Sequence, residues 1–330
     1  MSLPTNYIPE HLSKTAVPEW INPMLATLTK DYFDHQDWIY ERKWDGERAL
    51  VFKKNGKVSI YSRNHKKIND SYPELEKAFE SAERENFIAD GEICAFEGNN
   101  SSFSKLQGRM QIKDRKRAAL TSIPVFYYFI DLLYIDRYLI TNLPLRERKK
   151  ILKSSFEFND PLRFTSHRNE NGVAYFEEAC DKGWEGLIAK DAGASYSEGR
   201  SKKWLKFKCI NRQEFVIGGY TEPEGSRQGF GALLIGYHEK DQLKYAGKVG
   251  TGYNDQLLNS LARKMQKIEI GESPFESGVI KAKKVHWVKP KLIGEVEFTE
   301  WTRDGKLRHS SFIGLRDDKK PADVIKEVSL

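Results

Sequence analysis

The stretch Glu41-Arg42-Lys43-Trp44-Asp45-Gly46-Glu47-Arg48 decides how the chain is read. It is charged, yet Trp38-Ile39-Tyr40 precedes it and Ala49-Leu50-Val51-Phe52 follows it, both apolar and strand-like. A lysine lodged between two such runs is partly buried, and burial disfavours the ammonium form. A neutral lysine amine is a nucleophile. Asp45-Gly46 marks a tight turn, and Arg48 follows closely enough to meet an anion. The plain alternative is a charged hairpin end with one solvated lysine, so the rest of the chain has to decide.

Strand signals continue downstream. Val58–Tyr61 follows the hairpin turn Asn55-Gly56, and Ser62-Arg63-Asn64 stands at its end. A helix is expected over Pro73–Glu83, with Leu75 and Phe79 one turn apart. Phe87–Ile93 is a strand that carries Asp90 and Glu92. Ser101–Ala119 reads as one basic helical segment whose Lys105, Arg109 and Lys113 share a face. That face is either solvated or a phosphate contact. Val125–Tyr134 is a continuous apolar run, as expected of a buried central strand. Amphipathic helices fit Leu145–Lys153 and Val173–Lys182, the second stopped by Gly183. Trp184–Lys190 is another buried strand, with Glu185 at its start. In Trp204–Lys208 the alternation puts Lys206 and Lys208 on one face.

The pattern changes after about Asn211. Short, glycine-punctuated strands fit Glu214–Tyr220, Ala232–Tyr237, Leu243–Val249 and Val285–Phe298, the last interrupted by Pro290, with a helix at Asp255–Lys267. That set suggests a small antiparallel barrel of OB type. The expected organisation is an arm over residues 1–20, rich in proline, a mixed unit over 21–210, and the barrel over 211–330. Gly225–Gly231 reads as a barrel loop, because no Walker lysine follows it.

Composition agrees with two packed cores and bounds the partner. Of 330 residues, 39% are hydrophobic and 12% aromatic, enough for both units. The net charge of +7 favours a polyanion such as nucleic acid. Cys94, Cys180 and Cys209 stand far apart with no CxxC pair, so neither a zinc ribbon nor a disulfide framework is expected. The seven histidines show no metal spacing. No signal sequence and no apolar run of about 18 residues appears, so the expected setting is a reduced cytoplasm, bacterial or phage-like, with no membrane contact.

Lys43, Arg48, Arg63, Glu92, Glu185, Lys206 and Lys208 are charges set in apolar frames. Such charges are costly to bury unless they face each other, a metal or a ligand. Around a nucleoside triphosphate they make sense: cations neutralise phosphates and carboxylates hold Mg2+ with hard oxygen ligands.

The motifs then add up to a resemblance. Lys43-Trp44-Asp45-Gly46-Glu47-Arg48 resembles the KxDGxR motif of the covalent nucleotidyltransferases. Ser62-Arg63-Asn64, Asp90-Gly91-Glu92, Phe129-Ile130-Asp131, Glu185-Gly186 and Lys206-Phe207-Lys208 follow in order, and Arg316-Asp317-Asp318-Lys319 resembles the RxDK motif of ATP-dependent DNA ligases. Phe298–Thr302 and Leu307–His309 look most like the ligase module of bacterial ligase D and its stand-alone relatives.

The resemblance implies an α+β fold: a nucleotidyltransferase core of ATP-grasp-like antiparallel sheets with helices, plus the C-terminal OB-type barrel. It implies ATP as the adenylate donor, Mg2+ with Mn2+ as a substitute, and nicked duplex DNA as the partner of a monomeric repair ligase. Other end-joining or repair proteins are candidate partners. Lys43 would attack the α-phosphorus. Glu41 would lie near adenine, and Arg48 and Arg63 near ribose and phosphate. Glu92 would contact ribose or a metal, and Glu185 a metal. Lys206 and Lys208 would neutralise the α-phosphate, and Arg316 and Lys319 would orient pyrophosphate when the barrel closes. Lys105, Arg109 and Lys113 are the DNA candidates. One position departs from the family: Ile130 stands where an aromatic precedes the strand's Asp, and alternation puts Phe129 on the other face. The rival readings are an RNA ligase or capping guanylyltransferase, and a nucleic-acid-binding protein without catalysis.

Overall fold

A computed structural model describes residues 12–223, 228–278, 280, 282 and 284–327. The start of the expected arm (residues 1–11) and Gly225-Ser226-Arg227 of the glycine-rich loop lie outside the described residues. The chain forms two compact units that divide between Cys209 and Ile210.

In the first unit the strands are β1 (Met24–Leu28), β2 (Trp38–Arg42), β3 (Glu47–Lys54), β4 (Lys57–Ser62), β5 (Phe87–Cys94), β6 (Phe126–Ile135), β7 (Leu162–Phe164), β8 (His167–Arg168), β9 (Gly186–Asp191) and β10 (Gly199–Lys208). The helices are α1 (Pro73–Glu80), α2 (Phe103–Met110), α3 (Arg115–Ala119), α4 (Leu145–Ser155) and α5 (Gly172–Asp181). One sheet runs β1-β10-β9-β2-β8 and the other β7-β6-β5-β3-β4. Pairing is antiparallel except β1 with β10 and β7 with β6.

Side-chain alternation explains why the sheets stack. Leu50 and Phe52 on β3, Ile88 on β5 and Ile130 and Tyr134 on β6 form one buried cluster with Met24 and with Trp204 of the other sheet. Each such side chain contributes about 1.5–3 kcal/mol of burial. Behind the first sheet, α5 covers Tyr40, Leu187, Leu205 and Phe207. Behind the second, Phe79 of α1 packs on Phe87, Tyr127 and Phe129. Phe129 is fully buried there, packed on Phe79, whereas Ile130 belongs to the cluster between the sheets.

Two expectations fail for identifiable reasons. Ser101–Ala119 is two helices, because Ser102 caps α2 by accepting the Lys105 N–H and Asp114 starts α3 by accepting the Arg117 N–H. The three cysteines are not all free: Cys180 is joined to Cys209, with Cα atoms 5.3 Å apart. The Trp184 N–H donates to Ala179 O, and the Cys209 N–H to Glu185 O, so the end of α5 folds back beside the end of β10. A separation of 29 residues hides that proximity in the sequence. Cys94 is free and buried.

The second unit contains β11 (Asn211–Thr221), β12 (Leu233–Glu239), β13 (Gln242–Val249), α6 (Asp255–Gln266), β14 (Glu269–Ile270), β15 (Val285–Phe298) and β16 (Ser311–Arg316). Its sheet runs β13-β12-β11-β15-β14, with β16 also on β15. Register shifts in β11 opposite β15, and in β15 opposite β16, coil these long strands. Leu258, Leu261, Ala262 and Met265 of α6 fill the core against Phe215, Ile235 and Val296. The architecture is of OB type.

Candidate active site

Register places the site. In the first sheet Lys208 pairs with Gly186, Lys206 with Ile188 and Trp204 with Lys190. Across β9, Ile188 pairs with Glu41 and Lys190 with Ile39. Directly paired residues share a face, so Glu41, Lys190, Lys206 and Lys208 stand on the face that meets the second sheet, together with Trp204. From the second sheet, Arg48 pairs with Glu92 beside Leu50 and Asp90. Of the expected nucleotide residues, Glu41, Arg48, Glu92, Lys206 and Lys208 thus line one cleft between the two sheets, with Ile130 in its apolar floor.

Lys43 lies just beyond β2, and its N–H donates to Gly186 O at 2.9 Å. Its Nζ forms an ion pair with the Glu185 carboxylate, the side chains being 19% and 4% exposed. Burial pulls the Lys43 ammonium down, but Glu185, with Asp45 and Glu92 adding to it, outweighs that, so its pKa ends above the ordinary lysine value. Two glycines make the approach feasible. A Cβ on Gly186, whose φ is 143°, would lie 1.9 Å from Phe207 O, and one on Gly46 would lie 2.2 Å from Ile93 O. Asp45 fastens the turn: its N–H donates to Ser101 Oγ, and its carboxylate accepts the Phe103 N–H at the start of α2.

Around this pair the cleft is held by buried ions. Arg48 grips Asp90 with Nε and Nη2, each at 2.5 Å, and Tyr196 Oη donates to the same carboxylate at 2.7 Å. Glu41, 1% exposed, binds Lys149 of α4 and Lys190. Burial raises its carboxyl, the two ammonium groups lower it more, and the net is a lowered pKa. Burial brings Lys190 down to about 8, against the pull of Glu41. Asp131 is fully buried in a two-pronged pair with Arg148 at 2.9 and 2.8 Å. Lys149, Lys190 and Arg148 were not singled out from the sequence. A usable signal existed: Arg148 and Lys149 sit on the apolar stripe of α4 with Leu145 and Leu152.

Arg63 follows β4, half-buried, next to Ser62, which pairs with Ala49 of β3. Arg109 is not on a DNA-facing surface; it is 0% exposed, with Nη2 at 2.6 Å from both Glu74 oxygens and Nη1 donating to Ala118 O. Lys105 and Lys113 are exposed, so the expected charged face is split. In the second unit Arg316 binds Asp318 through two 2.8 Å bonds and Glu295 at 2.9 Å, while Lys319 pairs with Glu214.

Among the described residues no group of three or more His, Cys, Asp or Glu side chains could hold a metal. Glu92 and Glu185, two of the carboxylates that act on Lys43, would be the hard oxygen donors for a metal here. That suits Mg2+, which keeps water and substrate phosphates in its shell. No helix among the described residues is long and apolar enough to cross a membrane.

A lysine paired with a carboxylate, in a cleft rich in cations, is compatible with the class of enzymes that carry a nucleotide on a lysine. The comparisons narrow it. Residues 23–208 match the model of the ATP dependent DNA ligase domain and residues 226–319 that of the ATP dependent DNA ligase C terminal region. The chain belongs to the ATP-dependent DNA ligase family.

It is 35% identical over 323 residues to the multifunctional non-homologous end joining protein LigD of Pseudomonas aeruginosa, covering 95% of this chain and 37% of that protein. It is 31% identical over 324 residues to a DNA ligase of Saccharolobus islandicus, covering 87% and 53%. The chain thus spans about half or less of these relatives' length. A solved structure of mycobacterial DNA ligase D complexed with ATP and MES superposes with a TM-score of 0.66 at 32% identity, over 92% of this chain and 98% of that one.

Proposed function

We propose that this chain is a DNA ligase that uses ATP to seal 5′-phosphate/3′-hydroxyl nicks in duplex DNA, in a repair setting. The observation that carries the reading is the Lys43–Glu185 pair at the mouth of a cleft rich in cations. In the first step Lys43 Nζ forms a bond to the α-phosphorus of ATP, the bond to the bridging oxygen breaks, and pyrophosphate leaves with its electron pair. Glu185, in contact with Nζ, is the nearest acceptor for the proton the amine releases. Lys206 and Lys208 offset charge on the phosphates, and the pinned Arg48 presents a fixed guanidinium edge. AMP then passes to a 5′-phosphate, and a 3′-hydroxyl displaces it to close the backbone. When bound at Glu92 and Glu185, Mg2+ would supply Lewis acidity to the phosphates.

Incubation of the protein with a nicked duplex, ATP and Mg2+ tests this. Sealed product that requires ATP and a 5′-phosphate is expected; no product, or product only with an RNA nick, overturns it. DNA affinity should fall with salt in proportion to the phosphates contacted. Replacing Lys105 and Lys113 together by alanine should flatten that slope by about 1–2 units. An unchanged slope assigns both lysines to solvent. Arg109→Ala should instead destabilise the fold, since it unpairs Glu74.

A further inference from the structure

The chain flanking the reacting pair carries a feature the reaction does not use. The Arg42 guanidinium lies 4.5 Å from the Trp44 ring and 4.3 Å from the Trp184 ring. No carboxylate pairs with Arg42 among the described residues. Its Nε is buried without a hydrogen-bond partner, and its Nη2 reaches only Asn99 O, at 3.4 Å. A half-buried guanidinium of this kind is held by aromatic faces, which attract it electrostatically.

The sequence positions of the three residues give the arrangement its meaning. Arg42 and Trp44 flank Lys43, and Trp184 immediately precedes Glu185. Arg42 ends β2, where Leu187 of β9 is its partner in register. Its side chain therefore points away from the cleft, to the side of α5, while that of Lys43 points in. The stack continues into the second sheet. Trp44 lies on Tyr128 of β6 with ring centroids 3.7 Å apart, and its Nε1 donates to Thr165 Oγ1 at 3.1 Å. Tyr128 Oη in turn accepts from Arg163 at 2.9 Å. One continuous stack therefore links the segment before Glu185, both neighbours of Lys43 and strand β6 of the opposite sheet.

We propose that the Trp184–Arg42–Trp44 stack is a positioning device for lysyl-AMP formation, fixing the two backbone segments that carry Lys43 and Glu185 so that the amine meets the α-phosphorus. None of the three is assigned a contact with nucleotide or metal; they act through Lys43 and Glu185. The proposal rests on the reading of Lys43 as the nucleophile. A displacement of about 1 Å at reacting atoms costs about a hundredfold in rate, so loosening the stack should lower the rate of bond formation while leaving nucleotide affinity intact.

The test is single-turnover lysyl-AMP formation by the full chain, with labelled ATP over a range of concentrations, for wild type, Trp184→Leu, Trp184→Phe, Arg42→Met and Arg42→Lys. The unfolding midpoint of each is measured alongside. Trp184→Leu and Arg42→Met should lower the saturating rate by about tenfold to a hundredfold. Their half-saturating ATP concentration should stay within about twofold, since the cleft residues remain. Trp184→Phe keeps an aromatic face and Arg42→Lys keeps a cation, so each should recover most of the rate. Unchanged rates in all four variants overturn the proposal. So do losses in rate, ATP affinity and midpoint that fall together, with no advantage for Phe or Lys. If Trp184→Leu fails to fold, Arg42→Met decides: a saturating rate equal to wild type in that variant overturns the proposal. Absence of label in the wild type would sink the reading of Lys43 itself, a different failure.

Discussion

Lys43 in the first unit and Arg316 in the second are both cations held by carboxylates, but they are held differently. Lys43 touches one carboxylate, at the end of a strand ladder, and keeps 19% of its side chain exposed. Arg316 is gripped by Asp318 and Glu295 and is 9% exposed, with partners at 1% and 8%. Burial lowers its pKa and the two carboxylates raise it more, to well above the usual arginine range. One contact can open toward a phosphate; the other would have to exchange two buried partners. On the proposed reading, the difference separates a group placed to react from a group built into the fold of its own unit.

The largest effect that could break this comparison is at Glu185. Glu185→Ala should lower lysyl-AMP formation by at least about a hundredfold, as for loss of a general base, and added Mg2+ should recover part of it. Normal rates with normal metal dependence would reduce Glu185 to a structural partner.

Arg316→Ala comes next. It leaves Asp318 and Glu295 buried without their guanidinium, a cost of about 3–5 kcal/mol, readable by denaturant unfolding. If Arg316 also orients pyrophosphate, lysyl-AMP formation should suffer far more than sealing of a pre-adenylated nick, which releases none. Equal losses in both steps would make it purely structural.

The smallest effect concerns His167, the register partner of Glu41 on the edge strand β8. Burial and the repulsion of Lys149 push His167 down to about 4, with Lys190 and Arg146 adding to the repulsion and Glu41 opposing it. Its folded pKa lies below the unfolded value of about 6.5. The stability it contributes is therefore full above about pH 6.5 and is lost as pH falls toward 4. His167→Asn should reduce the loss of stability between pH 7 and pH 5 by on the order of 1–2 kcal/mol. An identical pH slope would show that His167 does not titrate this way.

These residues also show what the sequence disclosed and what it hid. The strands that build the cleft were legible because alternation and apolar runs report burial directly: β15 matches its expected limits, Val285–Phe298. Lys206 and Lys208 share a face for the same reason. Arg109 was misread because even spacing along a helix says which residues align, not whether they face solvent. Phe103, Leu106 and Met110 turn that helix inward and take Arg109 with them. The Cys180–Cys209 bond and the Lys149–Glu41–Lys190 cluster depend on contacts between distant segments, which local patterns do not encode.

The central claim is that Lys43 is the atom on which the nucleotide is carried. Incubating wild type and Lys43→Ala with α-labelled ATP and Mg2+, followed by a denaturing gel, tests it most directly. The account predicts a covalent label on the wild type, none on Lys43→Ala, and similar unfolding midpoints for both. A folded Lys43→Ala that takes up label at the wild-type level would contradict it.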